Sequence, residues 1–401
     1  MLAPKTPAPV AGTERLVSLD VLRALALFGV LIVNLLTEFR VSIFEQFLGP
    51  ASGSPWDRRI DRAVAVAVES KAFALFSFLF GVGLAIQFER ARRGGRAFGP
   101  QIARRLGALL ALGLVHLVVV WNGDILTEYA IAGALVALLV GLPRPWLLAL
   151  AAIFLAVYAS PLPYPDPFPT SDALALHVAD ANRAYGSGGF PTVFAFRIHE
   201  LPPVLALDLA ALPRTLALFS LGAWAWRRGV FERPSEYRRL LAGTASLGIA
   251  LGGLACAWDS GLVDDMQPGP EAWRSLIVGL GTLALALGYG AGLLLLFERP
   301  VARRALAPLA PLGQMALTNY LLQSVIFGFV FYGYGLGQFG KMSVTRATQV
   351  GVLVYVAQIA ASAWWLRRFR FGPVEWAWRC VTYKAWQPMR SKSQPGELAH
   401  R

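Results

Sequence analysis

The stretch GLVHLVVVWNGDILTEY, Gly113 to Tyr129, decides how this chain is read. It joins two apolar runs, Leu106 to Val120 and Ile125 to Leu142, through a polar break of three residues, Asn122, Gly123 and Asp124. So short a break between long apolar runs predicts a tight turn between two antiparallel membrane helices. His116 falls inside the first helix, about two turns before the break. Asp124 and Glu128 open the second helix, and Trp121 and Tyr129 flank the turn as candidate substrate-binding walls. Ionisable groups at that depth are costly in lipid and mark a functional site by default. His116, Asp124 and Glu128 are therefore the candidate catalytic groups.

Composition supports the membrane reading. The 401 residues are 56% hydrophobic and 15% charged, and the mean hydropathy is +0.53. A soluble domain carries roughly a quarter charged residues. Ten apolar runs are expected to span: about 17–38, 64–88, 105–121, 125–142, 146–160, 203–226, 239–257, 275–297, 313–333 and 349–366. The fold class is all-α, a polytopic integral membrane protein of about ten transmembrane helices, since only helices and closed barrels satisfy backbone groups in lipid. The net charge of +13 reflects arginines in short loops meeting anionic headgroups rather than nucleic acid. Cys256 and Cys380 belong to no metal-ligand spacing, and no metal is expected. The first 14 residues lack a hydrophobic signal core, so the first helix reads as an uncleaved anchor.

Lys and Arg set the orientation. One alternating set of connections holds 25 of them and the other holds 9, which places both termini in the cytoplasm. The organisation is then a cytoplasmic tail (1–16), five membrane helices (17–160), an extracytoplasmic loop (161–202), five more helices (203–366) and a basic, aromatic cytoplasmic tail (367–401). Pro161 and Pro163 are expected to end the fifth span, Ser171 to Tyr185 to form a surface helix in the outer loop, and the last ten residues to be disordered. The tail's Trp376, Trp378 and Trp386 suit a headgroup layer.

Other polar positions extend the candidate site. Asp20 and Arg23 are three apart and can pair, and Asn34 lies three turns beyond Arg23 on the same face. Glu69 stands at the outer part of the second span, facing either the interface or the His116 pocket. Gly81 and Gly83 permit close helix approach. In GQMALTNYLLQS, Asn319 and Gln323 continue a polar edge from Gln314 and Thr318, which Gln358 of the tenth span can meet. That edge is interhelical glue or a substrate passage.

Several of these motifs carry a family resemblance. RLVSLDVLRALALFGVLIVN, GLVHLVVVWNGDILTEYA, GQMALTNYLLQSVI, YGLGQFG and FGPVEWAWR resemble the YeiB-like membrane proteins, domain of unknown function 418, over nearly the whole chain. The family usually has Gly after the first-helix arginine, where this chain has Ala24. The first helix is also similar to that of transmembrane acyltransferases such as heparan-α-glucosaminide N-acetyltransferase. That similarity implies an acyl group taken from a cytoplasmic thioester such as acyl-CoA and passed to a sugar or lipid-linked acceptor on the other face of a bacterial inner membrane. Asn34 matches an asparagine of the glucosaminide enzyme, but the position of its catalytic histidine is Glu45 here. His116 would have to act in its place.

Three functions stay open on the sequence. An acyltransferase would use His116 as general base, Asp124 or Glu128 to orient it, Asn34 at the oxyanion, and Arg23, Arg104 or Arg105 on donor phosphates. It holds no permanent cofactor; acyl-CoA is a substrate. A transporter would use His116 as a proton-coupled group, although no internal repeat is visible. A structural membrane protein would use it as an interhelical hydrogen-bond partner. Membrane lipids are the expected surroundings in each case, and the oligomeric state is left open.

Overall fold

The computed structural model describes residues 16–49, 53–95, 97–160, 167–262 and 271–390. Most of the N-terminal tail, Pro161, Pro163 and the last ten residues lie outside them. Among the described residues no strand forms beyond one isolated bridge between Phe369 and Arg390.

The first helix, α1 (Val17–Asn34), continues into a π-helical turn, Leu35–Phe39. It is the central post of the bundle, with Leu27, Val30, Leu31 and Leu35 fully buried. Where the sequence predicts one span over 64–88, the structure has two helices, α2 (Pro55–Ala67) and α3 (Lys71–Arg93). Ser54 and Asp57 close a capping box at the start of α2, with Pro55 in its first turn. Ser70, at φ +60°, breaks the chain before α3, a left-handed conformation that only a turn forces on a non-glycine residue. Polar and amphipathic, α2 leaves Trp56 65% exposed.

Next come α4 (Phe98–Val115), which also ends in a π-helical turn, His116–Val120, then α5 (Ile125–Leu139) and α6 (Arg144–Ala159). The surface helix expected over Ser171 to Tyr185 is α7 (Ser171–Ser187). The next helix starts earlier than expected: α8 runs 39 residues, Phe190–Arg228, through Pro202, Pro203 and Pro213. Prolines are tolerated in spanning helices where neighbours satisfy the freed carbonyls. A hairpin of α9 (Arg238–Asp259) and α10 (Glu271–Phe297) follows. The polar-edged span is broken: α11 (Pro300–Leu306) and α12 (Ala310–Gln314) meet α13 (Ala316–Phe331) at a 73° bend. The chain closes with α14 (Val344–Leu366) and α15 (Pro373–Tyr383).

Among the described residues, seven helices are long and apolar enough to cross a membrane, or eight if the bent pair is one span. The other two expected spans are α5 and α6, of 15 and 16 residues, shorter than the roughly 20 residues a bilayer requires. Ten is thus the number of apolar segments, and seven or eight the number with spanning length.

Small residues set the close crossings. A Cβ on Gly81 would lie 2.1 Å from the Phe219 carbonyl oxygen, and one on Gly222 would lie 2.0 Å from that of Phe78. This locks α3 against α8. Gly83, expected to act with Gly81, has nothing within 4 Å. The α9–α10 hairpin is equally tight, with Gly248 against Ala284 and Gly252 against Gly281.

Candidate functional site

Residue 116 is where α4 stops being an α-helix. The Trp121 amide donates to the His116 carbonyl five residues back, at 2.7 Å, and Trp121 then turns to extended backbone. A π-helical turn leaves carbonyls without their usual donors. Arg197 of α8, 0% exposed, supplies one: its Nη1 donates to the carbonyls of Val119 (2.6 Å) and Val118 (3.3 Å). The π-helical turn after α1 stacks against this one through Phe39 and Trp121, with ring centroids 4.5 Å apart.

After the turn, Asp124 caps α5. Its Oδ2 accepts from the backbone N–H and the hydroxyl of Thr127, both at 2.8 Å. Its Oδ1 lies 2.8 Å from Nδ1 of His116. Both side chains are fully buried. The carboxyl group is held on one oxygen by the helix start and presents the other to the imidazole. The ring packs beside Tyr320 (5.3 Å) and Trp121 (6.0 Å), and Nε2 is buried without a hydrogen-bond partner.

Asp124 also forms part of the wall of a cavity of about 160 Å³ between the end of α1 and helices α3, α5 and α8. Four carboxyl groups line it, Glu38, Asp124, Glu128 and Asp208, together with the guanidinium of Arg214. Tyr129 and Ser77 share a hydrogen bond of 2.7 Å in its wall. Next to it, Glu200 accepts from Asn122 Nδ2 and the Tyr185 hydroxyl, both at 2.5 Å, and lies 3.0 Å from His177 Nε2. This fastens α7 to α8 and to the 122–124 turn. Burial and the neighbouring Glu200 push the Tyr185 hydroxyl well above the ordinary tyrosine range.

The structure thus gathers His116, Asp124, Glu128 and Tyr129, with Trp121 buried against the imidazole. It does not gather the rest. Asn34 is buried with its Oδ1 unpartnered, outside the cavity wall. Glu69 sits at the α2–α3 break, also outside that wall. Asn319 and Gln323 join α13 to α14: Asn319 Nδ2 donates to Ser362 Oγ at 3.0 Å and Gln323 Nε2 to Gln358 Oε1 at 2.7 Å. Arg23 pairs with Asp20 at 2.9 Å. Arg104 donates to the Thr382 carbonyl at 3.0 Å, and the Arg105 guanidinium lies 3.6 Å from the centre of the Trp378 ring, so both dock α15.

Sequence reasoning passed over Glu38, Arg197, Glu200, Asp208 and Arg214. A signal existed for two of them: Asp208 and Arg214 are the charged residues of the apolar stretch 203–226. Among the described residues no group of three or more His, Cys, Asp or Glu side chains is placed to hold a metal ion.

Comparison with known proteins places the chain. A family model described as "Protein of unknown function (DUF418)" matches residues 225–385. The chain is 32% identical to "Uncharacterized protein YxaH" of Bacillus subtilis (strain 168) over 414 aligned positions, covering 96% of this chain and 98% of that one. It is 29% identical to "Uncharacterized protein YeiB" of Escherichia coli (strain K12), covering 95% and 99%. A 39.9 kDa protein from the amylase 3′ region of Bacillus acidopullulyticus is 28% identical over 96% of this chain. The end-to-end match to YxaH, with the motifs quoted above, means that this chain belongs to the YeiB-like DUF418 family of multi-helix membrane proteins.

Proposed function

We propose that the protein is an integral-membrane acyltransferase in which His116 is the general base. The observation that carries this reading is the His116–Asp124 pair: Nδ1 engaged by a carboxylate that a helix cap immobilises, and Nε2 left unpartnered. A carboxylate on Nδ1 fixes the hydrogen there and leaves the Nε2 lone pair to take a proton. An acceptor hydroxyl or amine gives its proton to Nε2 as its oxygen or nitrogen bonds the thioester carbonyl carbon. The carbon–sulfur bond then breaks, the thiolate takes the proton back from the imidazolium, and an ester or amide and a free thiol leave. The reacting hydroxyl or amine would meet Nε2, with the acceptor's other polar groups in the cavity that Asp124 borders. A donor such as acyl-CoA would bring its phosphates to the end of the bundle opposite the 122–124 turn, where Arg23, Arg104 and Arg105 lie. In a bacterial inner membrane with cytoplasmic termini, that end faces the cytoplasm.

One observation favours a second reading, proton-coupled transport. The cavity wall holds four carboxyl groups against one guanidinium, and the imidazole ring is outside that wall. The deciding experiment is binding of acetyl-CoA and palmitoyl-CoA to the detergent-solubilised protein, with His116→Ala alongside. Saturable binding with slow thioester hydrolysis that His116→Ala abolishes supports the transferase. No binding at either chain length overturns it and leaves transport or a structural role.

A further inference from the structure

A second cavity, of about 170 Å³, lies between α1, α3, α8, α9 and α10, and its chemistry is the opposite of the first. Its walls include Leu22, Leu75, Phe231, Leu241, Ala291 and Leu294, all buried, and Thr244 carries its one side-chain hydroxyl. The six apolar residues belong to one packed cluster, so the bundle's own core forms that part of the wall. Its position follows from the glycines. The α9–α10 hairpin is drawn tight at Gly252–Gly281 and Gly248–Ala284. From that zipper toward Arg238, Leu241 of α9 and Leu294 of α10 line the cleft. The mouth is marked by Leu240, 49% exposed at the start of α9. The segment 228–239 that leads into α9 carries the exposed Arg228, Arg238 and Arg239, together with Glu232 and an Arg233–Glu236 pair at 3.1 Å. An apolar slot ending in cationic side chains is complementary to a hydrocarbon chain ending in an anion.

We propose that this cleft is a binding site for one acyl chain of an anionic glycerophospholipid, with its phosphate against the arginines at the start of α9. The site is separate from the His116–Asp124 cavity and does not depend on the transferase reading. Leu75 and Phe78 of α3 face the lipid cleft while Phe73 and Ser77 of the same helix line the polar cavity, so α3 is the partition between them.

The test is native mass spectrometry of the intact protein released from nanodiscs made with equal phosphatidylglycerol and phosphatidylcholine. One retained phosphatidylglycerol per chain is expected. Two variants probe the two halves of the site. Gly290→Leu puts a side chain into the cleft, where its Cβ would lie 3.3 Å from Leu75 Cδ1, and is expected to abolish retention of either lipid. Arg238→Gln with Arg239→Gln leaves the walls intact and is expected to weaken phosphatidylglycerol retention by about thirtyfold, the effect of two surface arginines on an anionic headgroup. Circular dichroism checks that both variants stay helical. Retention unchanged by both variants, equal retention of phosphatidylcholine, or displacement by stoichiometric palmitoyl-CoA overturns the proposal, the last by assigning the cleft to the acyl donor.

Discussion

Asp124 carries two jobs on two oxygens, and they can be separated by substitution. In Asp124→Ala the cap of α5 is lost, which costs about 1 kcal/mol. The Nδ1 of a fully buried imidazole also loses its partner, which costs about 1–3 kcal/mol more. The expected destabilisation is therefore about 2–4 kcal/mol. Asp124→Asn has the same shape. Its amide oxygen can accept from the Thr127 N–H and hydroxyl as Oδ2 does now, and its NH2 then faces His116. The cap survives, and stability should fall by no more than about 1 kcal/mol. The imidazole, however, must now accept at Nδ1 and carry its hydrogen on Nε2, so the basic lone pair is gone. Enforcing the wrong tautomer costs about 10⁴ in kcat in a serine-protease triad, and a loss of that order is expected in thioester turnover here. Thermal unfolding in detergent, read beside acyl-CoA hydrolysis, checks both. If Asn is as destabilising as Ala, the division of labour between the two oxygens is wrong. If Asp124→Asn keeps its turnover within a few-fold, His116 is not a base oriented by Asp124.

Other parts of the structure make equally definite predictions. Gly123→Ala should fail to give a stable protein, because its Cβ would lie 1.9 Å from Glu38 Oε2 and 2.3 Å from the Trp121 ring; thermal unfolding reads this out, with Gly107→Ala, where nothing lies within 4 Å, as the neutral control. Gln323→Ala and Gln358→Ala should couple by about 0.6 kcal/mol in a double-mutant cycle, the usual worth of an interhelical hydrogen bond in a membrane bundle, and zero coupling would remove the polar edge as glue. Glu375 of α15 accepts from the Thr318 amide at 3.0 Å and from the Thr318 hydroxyl, and burial raises its carboxyl above the ordinary range. A raised folded value means its stabilisation is complete below the ordinary glutamate pKa of about 4.3. It is lost as pH rises through the raised value. Glu375→Gln should therefore flatten that part of the melting profile relative to wild type, and an unchanged profile would refute the assignment.

What was legible in the sequence was local. His116 and Asp124 are eight residues apart across a three-residue turn, so their meeting at 2.8 Å needs no knowledge of distant chain. Gln358 as partner to the polar edge was legible for a different reason: two helices with polar groups in lipid must turn them toward each other, and Gln323 and Gln358 do. Glu38, Glu200, Asp208 and Arg214 were not legible as one site, because the end of α1 and two levels of α8 have no sequence relation to the 122–124 turn. The early start of α8 was hidden by Pro202 and Pro203, which read as loop in isolation and are overridden by packing. Asn34 is the opposite case. A shared helical face and a family likeness marked it as a site residue, yet depth along α1 sets it apart from the cavity that Glu38, one turn further on, enters.

The length of α8 has a physical reading. The segment from Arg197 to Thr215 covers about 27 Å of helix. Along it lie the guanidinium that holds the Val118 and Val119 carbonyls, the Glu200 hub that fastens Asn122 and α7, and then Asp208, Arg214 and Thr215 in the cavity wall. One rigid element therefore fixes both the turn that presents His116 and the floor of the cavity beside Asp124. Each of its three prolines leaves a carbonyl four residues earlier, at Ile198, His199 and Leu209, without its helical donor, an irregularity that spanning helices tolerate where neighbours satisfy it. The two π-helical turns point the same way: both α1 and α4 give up regular hydrogen bonding where they face each other, joined by the Phe39–Trp121 stack. Irregular backbone and buried charge are both costly in a membrane. Here they coincide at one end of the bundle, around one polar cavity, while the opposite face of α3 borders an apolar cleft. Helix packing does not call for a capped aspartate presenting its second oxygen to a buried imidazole.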